Sequence, residues 1–323
     1  VVGSGPAGLS AARQLRVRGH EVTVFEREQE AGGILRYGIP GFKLEKQVLE
    51  RRIDLLRQGG VNFETGVTIG ADLSARYLFK KFDAVLLATG AGAPRDLDVP
   101  GRGLEGVVFA MDYLGASAVH GFGVPAHMNA RDRDVLVIGG GDTGSDCVGT
   151  AIRQGASTVT QVEILPKPEQ ALEPGNPRWP YRPGTLKTSS SHQEGCERRW
   201  NTGTLSFASE YGRVERTEIA DLAWKTDKNG RRSFEVIPGS EHWIKTDLVV
   251  LAMGFLHTEH GQWLDELGIA LDERGNIKHE AYRCNEGGVF VAGDAAAGAS
   301  LVVTAFHHGR EAARQVDEYL VSG

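Results

Sequence analysis

The apolar positions of this chain fall into short runs that alternate with longer segments of helical spacing. Short runs rich in β-branched and other apolar residues are typical of strands in a parallel sheet. Apolar residues three and four positions apart instead predict helices with one buried face. The runs predict strands over residues 21–26, 83–90, 134–138, 158–165, 247–254 and 288–294. The spaced segments predict helices over residues 7–18, 45–58, 142–154 and 301–320, and therefore an α/β fold.

A glycine-rich turn occurs twice, each time after a strand and before a helix. The copies are Gly3-Ser4-Gly5-Pro6-Ala7-Gly8 and, 136 residues later, Gly139-Gly140-Gly141-Asp142-Thr143-Gly144. In such a turn the first glycine permits the bend, the second lets the backbone approach a pyrophosphate, and the third lets helix and strand pack closely. The helix that follows offers free N–H groups to the phosphates. The repeat predicts two dinucleotide sites.

An acid follows each turn at the end of the next strand. Glu26, with Arg27 beside it, lies 18 residues after Gly8, and Glu163 lies 19 residues after Gly144. A carboxylate at this place accepts hydrogen bonds from ribose hydroxyls. We therefore expect FAD at the first turn and NAD(P)H at the second.

Further echoes support the duplication. The strands over 83–90 and 247–254 both end in Ala-x-Gly, at Gly90 and Gly254. The strand over 288–294 ends in Gly293-Asp294, which predicts a carboxylate on the ribityl chain of the flavin. The helix beginning near Ser300 would point its positive end at the flavin pyrimidine ring and stabilise the anionic reduced form.

These repeats predict two Rossmann-like domains, the second inserted into the first. We expect an FAD-binding domain from residues 1–118 and 256–323 and an NAD(P)H-binding domain from residues 119–255. Residues 166–203 contain six prolines and predict a long irregular connection. Short runs at 204–208, 219–225 and 233–237 predict an antiparallel flap on the second half.

Composition excludes several classes of protein. The formal charge is −6 over 323 residues, with scattered Lys and Arg, which argues against nucleic acid as a partner. No apolar stretch reaches the ~18 residues that a membrane helix needs, so we expect no membrane partner. The three cysteines form no C-x-x-C and no Cys/His cluster, which predicts no metal site and a reducing, cytoplasmic setting. The chain opens directly on a glycine-rich turn, and we expect that a segment upstream is missing.

Several blocks resemble one family. They are the two glycine turns, Gly32-Gly33-Ile34-Leu35-Arg36-Tyr37-Gly38-Ile39-Pro40-Gly41-Phe42-Lys43-Leu44, Thr188 to Cys196, and Gly293-Asp294 with Ser300-Leu301-Val302-Val303-Thr304-Ala305. Together they resemble the small (beta) subunit of bacterial glutamate synthase over essentially the whole chain.

The resemblance implies an activity and partners. Such a subunit passes hydride from NAD(P)H to FAD, and electrons then reach iron–sulfur clusters and the FMN of a large (alpha) subunit, which forms glutamate. It implies that Gly33, Leu35, Arg36 and Lys43 lie along the FAD, as do Ser300, Leu301, Val302 and Thr304. The family also carries a cysteine-rich iron–sulfur domain upstream, which is absent from these residues.

The nucleotide preference follows from a departure. NADPH-selective relatives place an arginine pair after the second acid, whereas this chain has Glu163-Ile164-Leu165 with only Lys167 nearby. A carboxylate there repels a 2′-phosphate, so we expect NADH to be preferred or the two nucleotides to be poorly distinguished.

Other functions remain open from the residues alone. They are a ferredoxin–NADP reductase-like chain, the reductase segment of a pyrimidine dehydrogenase, and a non-catalytic nucleotide-binding scaffold. A dithiol reductase is disfavoured because C-x-x-C is missing. We assign no catalytic side chain, since hydride transfer between cofactors needs no general acid or base.

Overall fold

The computed structural model describes residues 1–121, 123–168, 186–284 and 287–322. The chain divides into two compact units, Val1–Arg95 with Gly254–Gly323, and Asp96–Met253 between them. The predicted insertion of one α/β unit into another is therefore confirmed. The first boundary falls after Arg95 rather than after residue 118, because the strand over Val107–Phe109 pairs within the inserted unit.

The elements of the first unit begin with the first glycine turn. Up to the insertion they are α1 (Pro6–Val17), β1 (Val22–Glu26), α2 (Ile34–Tyr37), α3 (Lys46–Gln58), β2 (Val61–Thr65), α4 (Ala75–Lys81), β3 (Val85–Leu87) and β4 (Ala93–Pro94).

The inserted unit carries the second glycine turn between β6 and α6. Its elements are β5 (Val107–Phe109), α5 (Ala110–His120), a 3₁₀ turn (Ala126–Met128), β6 (Asp134–Ile138), α6 (Asp142–Gln154), β7 (Thr158–Glu163), α7 (Ser190–Gln193), β8 (Glu197–Trp200), β9 (Thr202–Ala208), β10 (Arg216–Thr226), β11 (Arg232–Val236), β12 (His242–Lys245) and β13 (Leu248–Leu251).

The chain then returns to the first unit. The returning elements are β14 (Phe255–His257), α8 (Gln262–Glu266), β15 (Val289–Val291), α9 (Asp294–Ala297) and α10 (Val302–Ser322).

The first unit is built on parallel pairing. β1 pairs with β2 and β15 pairs with β3, both in parallel. Val2 forms parallel bridges to Phe25 and to Leu87, so a single residue joins the two pairs. The sheet order is thus β2, β1, Val2, β3, β15, and the first glycine turn leaves from its middle.

Helices α1 and α10 pack closely against each other. A side chain on Gly309 would collide with the carbonyl oxygen of Ala7, so only glycine fits at this contact. Ser10 Oγ also donates to the carbonyl of Phe306 at 2.8 Å. The close packing brings the N-terminal turns of the two helices to one place.

Helix α3 is less buried than its apolar pattern predicts. The expected inward residues were Val48, Leu49, Ile53, Leu55 and Leu56. Leu49, Ile53 and Leu56 are buried, whereas Val48 and Leu55 are about half exposed, at 48% and 53%. Residues 49, 53 and 56 share one face, and a residue one position before Leu49 or Leu56 turns away from it.

The inserted unit has a parallel sheet of order β5-β13-β6-β7-β8. The predicted antiparallel flap is present as β9, β11 and β12, each paired with β10. The irregular connection predicted over 166–203 is wrong at its C-terminal end, because residues 190–200 form α7 and β8 and β8 extends the parallel sheet. Pro174, Pro177, Pro180 and Pro183 lie outside the described residues.

Candidate functional site

The first glycine turn has no room for side chains at two of its three glycines. Gly3 has a φ of +99°, and a side chain there would collide with the carbonyl of Ala88. A side chain on Gly8 would collide with the carbonyl of Gly3. Gly5 differs, because no atom lies within 4 Å of where its Cβ would stand. That open place is where a dinucleotide-binding turn admits the pyrophosphate.

The second glycine turn repeats this arrangement. Gly139 has a φ of +120° and is closed off by the carbonyl of Ala252, and Gly144 by the carbonyl of Gly139. Gly141, the equivalent of Gly5, again has no atom within 4 Å of its Cβ position.

The matched Ala-x-Gly strand ends now have a physical explanation. Ala88 and Ala252 are the alanines of those two sequences, and each carbonyl packs on the first glycine of the neighbouring turn. The following glycines, Gly90 and Gly254, have φ of +76° and +84° and open space at their Cβ positions. The two units thus share a turn together with the strand end that supports it.

The two acids bind their turns in the same way. Glu26 Oε2 accepts from the N–H and the hydroxyl of Ser4, and Oε1 accepts from the N–H of Glu28. Glu163 Oε2 accepts from the N–H of Gly140 at 2.6 Å, and Oε1 from the N–H of Leu165 at 3.0 Å. Glu26 is 6% exposed, whereas Glu163 is half-buried. Each carboxylate both fixes its turn and stands at the strand end where a ribose would lie.

The helices after the turns suit an anionic group. α1 is capped by Gly5 and α6 by Gly141, and in neither helix does a side chain of the cap residue accept from the first turn. Pro6 occupies the first position of α1, where a missing N–H costs nothing. In α6, Asp142 is exposed, Thr143 is half-buried, and Ala7 in α1 is buried. These N-termini fit the pyrophosphates of two dinucleotides.

The Gly-Gly-Ile-Leu-Arg block contacts the first turn through glycine. Gly33 has a φ of +50°, and its Cβ position lies 2.8 Å from Cα of Gly5. Leu35 belongs to the hydrophobic core. The other charges predicted to lie along the FAD have other surroundings.

Those charges are partnered or at the surface. Arg36 donates to the carbonyl of Ala31 at 2.7 Å, and its Nη2 lies 2.5 Å from a carboxylate oxygen of Glu50. Arg27 forms an ion pair with Glu259 at 2.7 Å. Lys43 is exposed. The structure therefore brings Gly33, but not these cations, directly against the turn.

Gly293 and Asp294 lie at the first turn as well. The Cβ position of Gly293 is 2.7 Å from Cβ of Ala7. Burial raises the pKa of Asp294, although the hydroxyl of Ser300, which donates to its Oδ1 at 2.8 Å, acts in the opposite direction.

The start of α10 presents an open surface. Leu301 is 61% exposed, and Val302 and Thr304 are half-buried. The helix begins at Val302, two residues later than Ser300. Its N-terminus is available to a ligand, as the sequence predicts.

A cationic group beside Glu163 was missed by sequence reasoning. β8 pairs with β7 so that Trp200 is the register partner of Glu163. Lys167 Nζ lies 5.0 Å and Arg198 Cζ 4.8 Å from the centre of the Trp200 ring. The signal was the pattern Arg198-Arg199-Trp200, which could be interpreted only with β8 placed beside β7.

Some kinds of site were searched for in the described ranges. Within residues 1–121, 123–168, 186–284 and 287–322, no group of three or more His, Cys, Asp or Glu could hold a metal ion. Among those same residues, no helix is long and apolar enough to cross a membrane. Cys147, Cys196 and Cys284 are free thiols, and burial raises the pKa of Cys284 to about 12.

Comparison with known proteins agrees with this geometry. The family model of pyridine nucleotide-disulphide oxidoreductases matches residues 1–179 and 207–309. The chain belongs to this family, whose members are oxidoreductases that use a flavin and a pyridine nucleotide. A solved structure of FprA from Mycobacterium tuberculosis has the same fold, with a TM-score of 0.78 at 18% identity over 99% of this chain and 84% of that one.

The more particular resemblance is to glutamate synthase. The chain is 46% identical to the glutamate synthase [NADPH] small chain of Mycobacterium tuberculosis, over 99% of its own length and 66% of that protein's. It is 39% identical to the glutamate synthase [NADH] of Schizosaccharomyces pombe, over 98% of its length and 16% of that protein's. The chain thus spans slightly less than two thirds of the bacterial relative. The family resemblance stated from the motifs is confirmed.

Proposed function

We propose that this chain carries hydride from NAD(P)H to FAD as the electron-input part of a glutamate synthase. The observation that supports this most directly is the matched pair of turns, each with a closed first and third glycine, an open second glycine and a backbone-bound acid. Two such sites in one chain suit electron transfer between two bound nucleotides. In this proposal the first unit binds FAD and the inserted unit binds NAD(P)H.

The residues of the first unit would bind and orient the flavin nucleotide. The N-terminus of α1 would bind the pyrophosphate at the open place beside Gly5, and Glu26 would accept from the adenosine ribose. Asp294 would accept from a ribityl hydroxyl, with Ser300 holding its carboxylate in place. The first turn of α10 would stabilise negative charge on the flavin ring. FAD itself supplies the ability to accept a hydride and to release single electrons.

The inserted unit would bind the nicotinamide nucleotide in the same manner. The N-terminus of α6 would bind the pyrophosphate beside Gly141, and Glu163 would accept from the ribose hydroxyls. Lys167 and Arg198 lie at the same strand ends and would attract a 2′-phosphate if one were present.

The partners follow from the named relatives. We infer that electrons leave FAD for iron–sulfur clusters, held with an upstream domain, and then reach the FMN of a large subunit that forms glutamate. The small chain and the fused glutamate synthase among the relatives support this assembly. The described free thiols suit a cytoplasmic complex.

The proposal is tested by anaerobic reduction of the purified, FAD-loaded chain. Adding NADPH or NADH should bleach the flavin absorbance with saturation kinetics, and ferricyanide should then restore it. A chain that binds flavin but is not bleached by either nucleotide would be a scaffold, and the proposal would fail. Mixing the longer protein that contains this segment with the large subunit should give glutamate from glutamine and 2-oxoglutarate.

A further inference from the structure

A buried glutamine lies beneath the second glycine turn. Gln161, in β7, is 2% exposed, and its Nε2 donates to the carbonyl of Gly139 at 2.9 Å. Two residues along the same strand, Glu163 accepts from the N–H of Gly140 at 2.6 Å. The carbonyl of Gly139 and the N–H of Gly140 belong to one planar peptide group. Two side chains of one strand therefore hold that peptide at both ends.

The first unit shows that a glycine turn of this kind does not need the glutamine. Val24 lies two residues before Glu26, as Gln161 lies two residues before Glu163. Val24 is fully buried and belongs to the hydrophobic core. Burying an amide is costly unless its donors and acceptors are satisfied, whereas a valine has no such cost. The glutamine thus has a purpose other than filling space.

The other end of the glutamine amide contacts His192. Gln161 Oε1 lies 2.9 Å from His192 Nε2, and the N–H of Ser189 donates to His192 Nδ1 at 3.1 Å. A backbone N–H can only donate, so Nδ1 accepts and the ring proton lies on Nε2. His192 Nε2 then donates to Gln161 Oε1, and the amide donates to the carbonyl of Gly139. Every group in this chain has a role consistent with its neighbours.

The chain closes on the helix that follows the turn. Ser189 caps α7, and its hydroxyl lies 2.5 Å from the hydroxyl of Ser145, which is 5% exposed in α6. We call Ser145, Gln161, Ser189 and His192 the turn bracket. The bracket joins the carbonyl of Gly139 to the start of α6, which are the two sides of the second turn.

We propose that Gln161 and His192 are positioning residues, which hold the Gly139–Gly140 peptide in the orientation that binds the pyrophosphate of NAD(P)H. The inference rests on the proposed function of the second turn. Gly139 has a φ of +120° and no side chain, so its peptide has much conformational freedom to lose. A bracket that orders the peptide beforehand reduces the entropy lost on binding and so raises affinity.

The test compares Gln161→Val, which gives β7 the residue of the first unit, with His192→Ala at the far end of the bracket. We expect each to weaken NADPH and NADH binding about 5- to 30-fold, as for loss of one or two buried hydrogen bonds. Binding is measured by fluorescence titration of the nucleotide, and KM and kcat by flavin reduction. KM should rise with kcat changed less than about twofold, and FAD content should stay the same, because the first unit is untouched.

Two further variants separate positioning from general destabilisation. His192→Gln keeps a donor and an acceptor and should restore most of the affinity lost in His192→Ala. Ile219→Val, in the core of the same unit, should lower the melting temperature by a similar amount while leaving both nucleotide affinities within about twofold of the unchanged chain.

The possible outcomes discriminate clearly. Unchanged chain that binds neither nucleotide would refute the proposed function and the bracket with it. If the unchanged chain binds nucleotide and Gln161→Val and His192→Ala bind it equally well, or no worse than Ile219→Val, the bracket alone is refuted. Hydrogen exchange in the nucleotide-free chain gives a second readout, since the amides of residues 139–142 should exchange faster in both variants.

Discussion

Gly8 packs so tightly on Gly3 that a side chain on Gly8 would overlap the carbonyl oxygen of Gly3. The same contact recurs between Gly144 and Gly139. A backbone carbonyl cannot move aside as the end of a flexible side chain can. Two glycines in each turn are thus required by the fold, whereas Gly5 and Gly141 face open space and are free to serve a ligand.

Alanine at a closed glycine should damage the fold. We expect Gly8→Ala and Gly144→Ala each to lower the free energy of unfolding by about 3 kcal/mol, the upper part of the range for overpacking. Urea unfolding followed by circular dichroism measures this directly. Variants as stable as the unchanged chain would show that the turns relax more easily than their packing indicates.

Alanine at an open glycine should damage binding without harming the fold. Gly5 and Gly141 have extended backbones, with φ of −69° and −78°, that alanine adopts without strain. Gly5→Ala should therefore melt normally yet lose most of its FAD. Gly141→Ala should melt normally and retain FAD, but bind NAD(P)H at least tenfold more weakly, since a methyl group occupies the place of the phosphate. Exchange of the two phenotypes would reverse our assignment of the cofactors.

Much of this arrangement could be predicted from sequence, because a glycine turn is specified by residues within six positions of each other. The duplicated turns, the acids and the α/β fold all follow from such local patterns. The contacts of Gln161 and Trp200 could not be predicted, since both depend on residues from beyond the proline-rich stretch returning beside β7. Arg36 shows the opposite limit, because a motif names a cation but not its partner, here Glu50.

The two acids should separate the cofactors when each is made neutral. In Glu26→Gln an amide N–H₂ faces backbone N–H donors, and we expect FAD occupancy to fall while NAD(P)H affinity stays within about twofold. Glu163→Gln should weaken NADH binding by about 5- to 30-fold, the value of one or two buried hydrogen bonds, and leave FAD in place. Flavin absorbance per protein and nucleotide titration measure the two effects. We prefer glutamine to arginine at position 26, because Glu26 is buried and a longer cation would disrupt the turn.

Nucleotide preference should reflect the balance of charge beside Trp200. Glu163 repels a 2′-phosphate, whereas Lys167 and Arg198 attract it, so we expect kcat/KM for NADPH and NADH to differ by less than about tenfold. Replacing both cations with alanine should shift the ratio towards NADH, and Glu163→Gln should shift it towards NADPH. Flavin reduction rates at moderate salt measure the ratio. If removal of the cations leaves the ratio unchanged, a residue elsewhere recognises the phosphate.

Asp294 should stabilise the bound flavin at the expense of the flavin-free fold. Burial raises the pKa of its carboxyl, opposed by the hydrogen bond from Ser300 and by the nearby His308. A raised pKa means that the ionised form is disfavoured in the folded chain, so stability is greatest at low pH and decreases as the pH rises through the folded-state pKa. Asp294→Asn should therefore melt at a higher temperature than the unchanged chain at pH 7 when both lack FAD. The advantage should disappear below about pH 4, where an ordinary aspartate is protonated in the unfolded chain as well. With FAD the order should reverse, because a carboxylate is a stronger acceptor for a ribityl hydroxyl than an amide, and we expect about tenfold weaker FAD binding in the variant. Melting curves from pH 4 to 8, with and without FAD, test both halves. A variant that melts below the unchanged chain at pH 7 without FAD would show that the Ser300 contact outweighs burial.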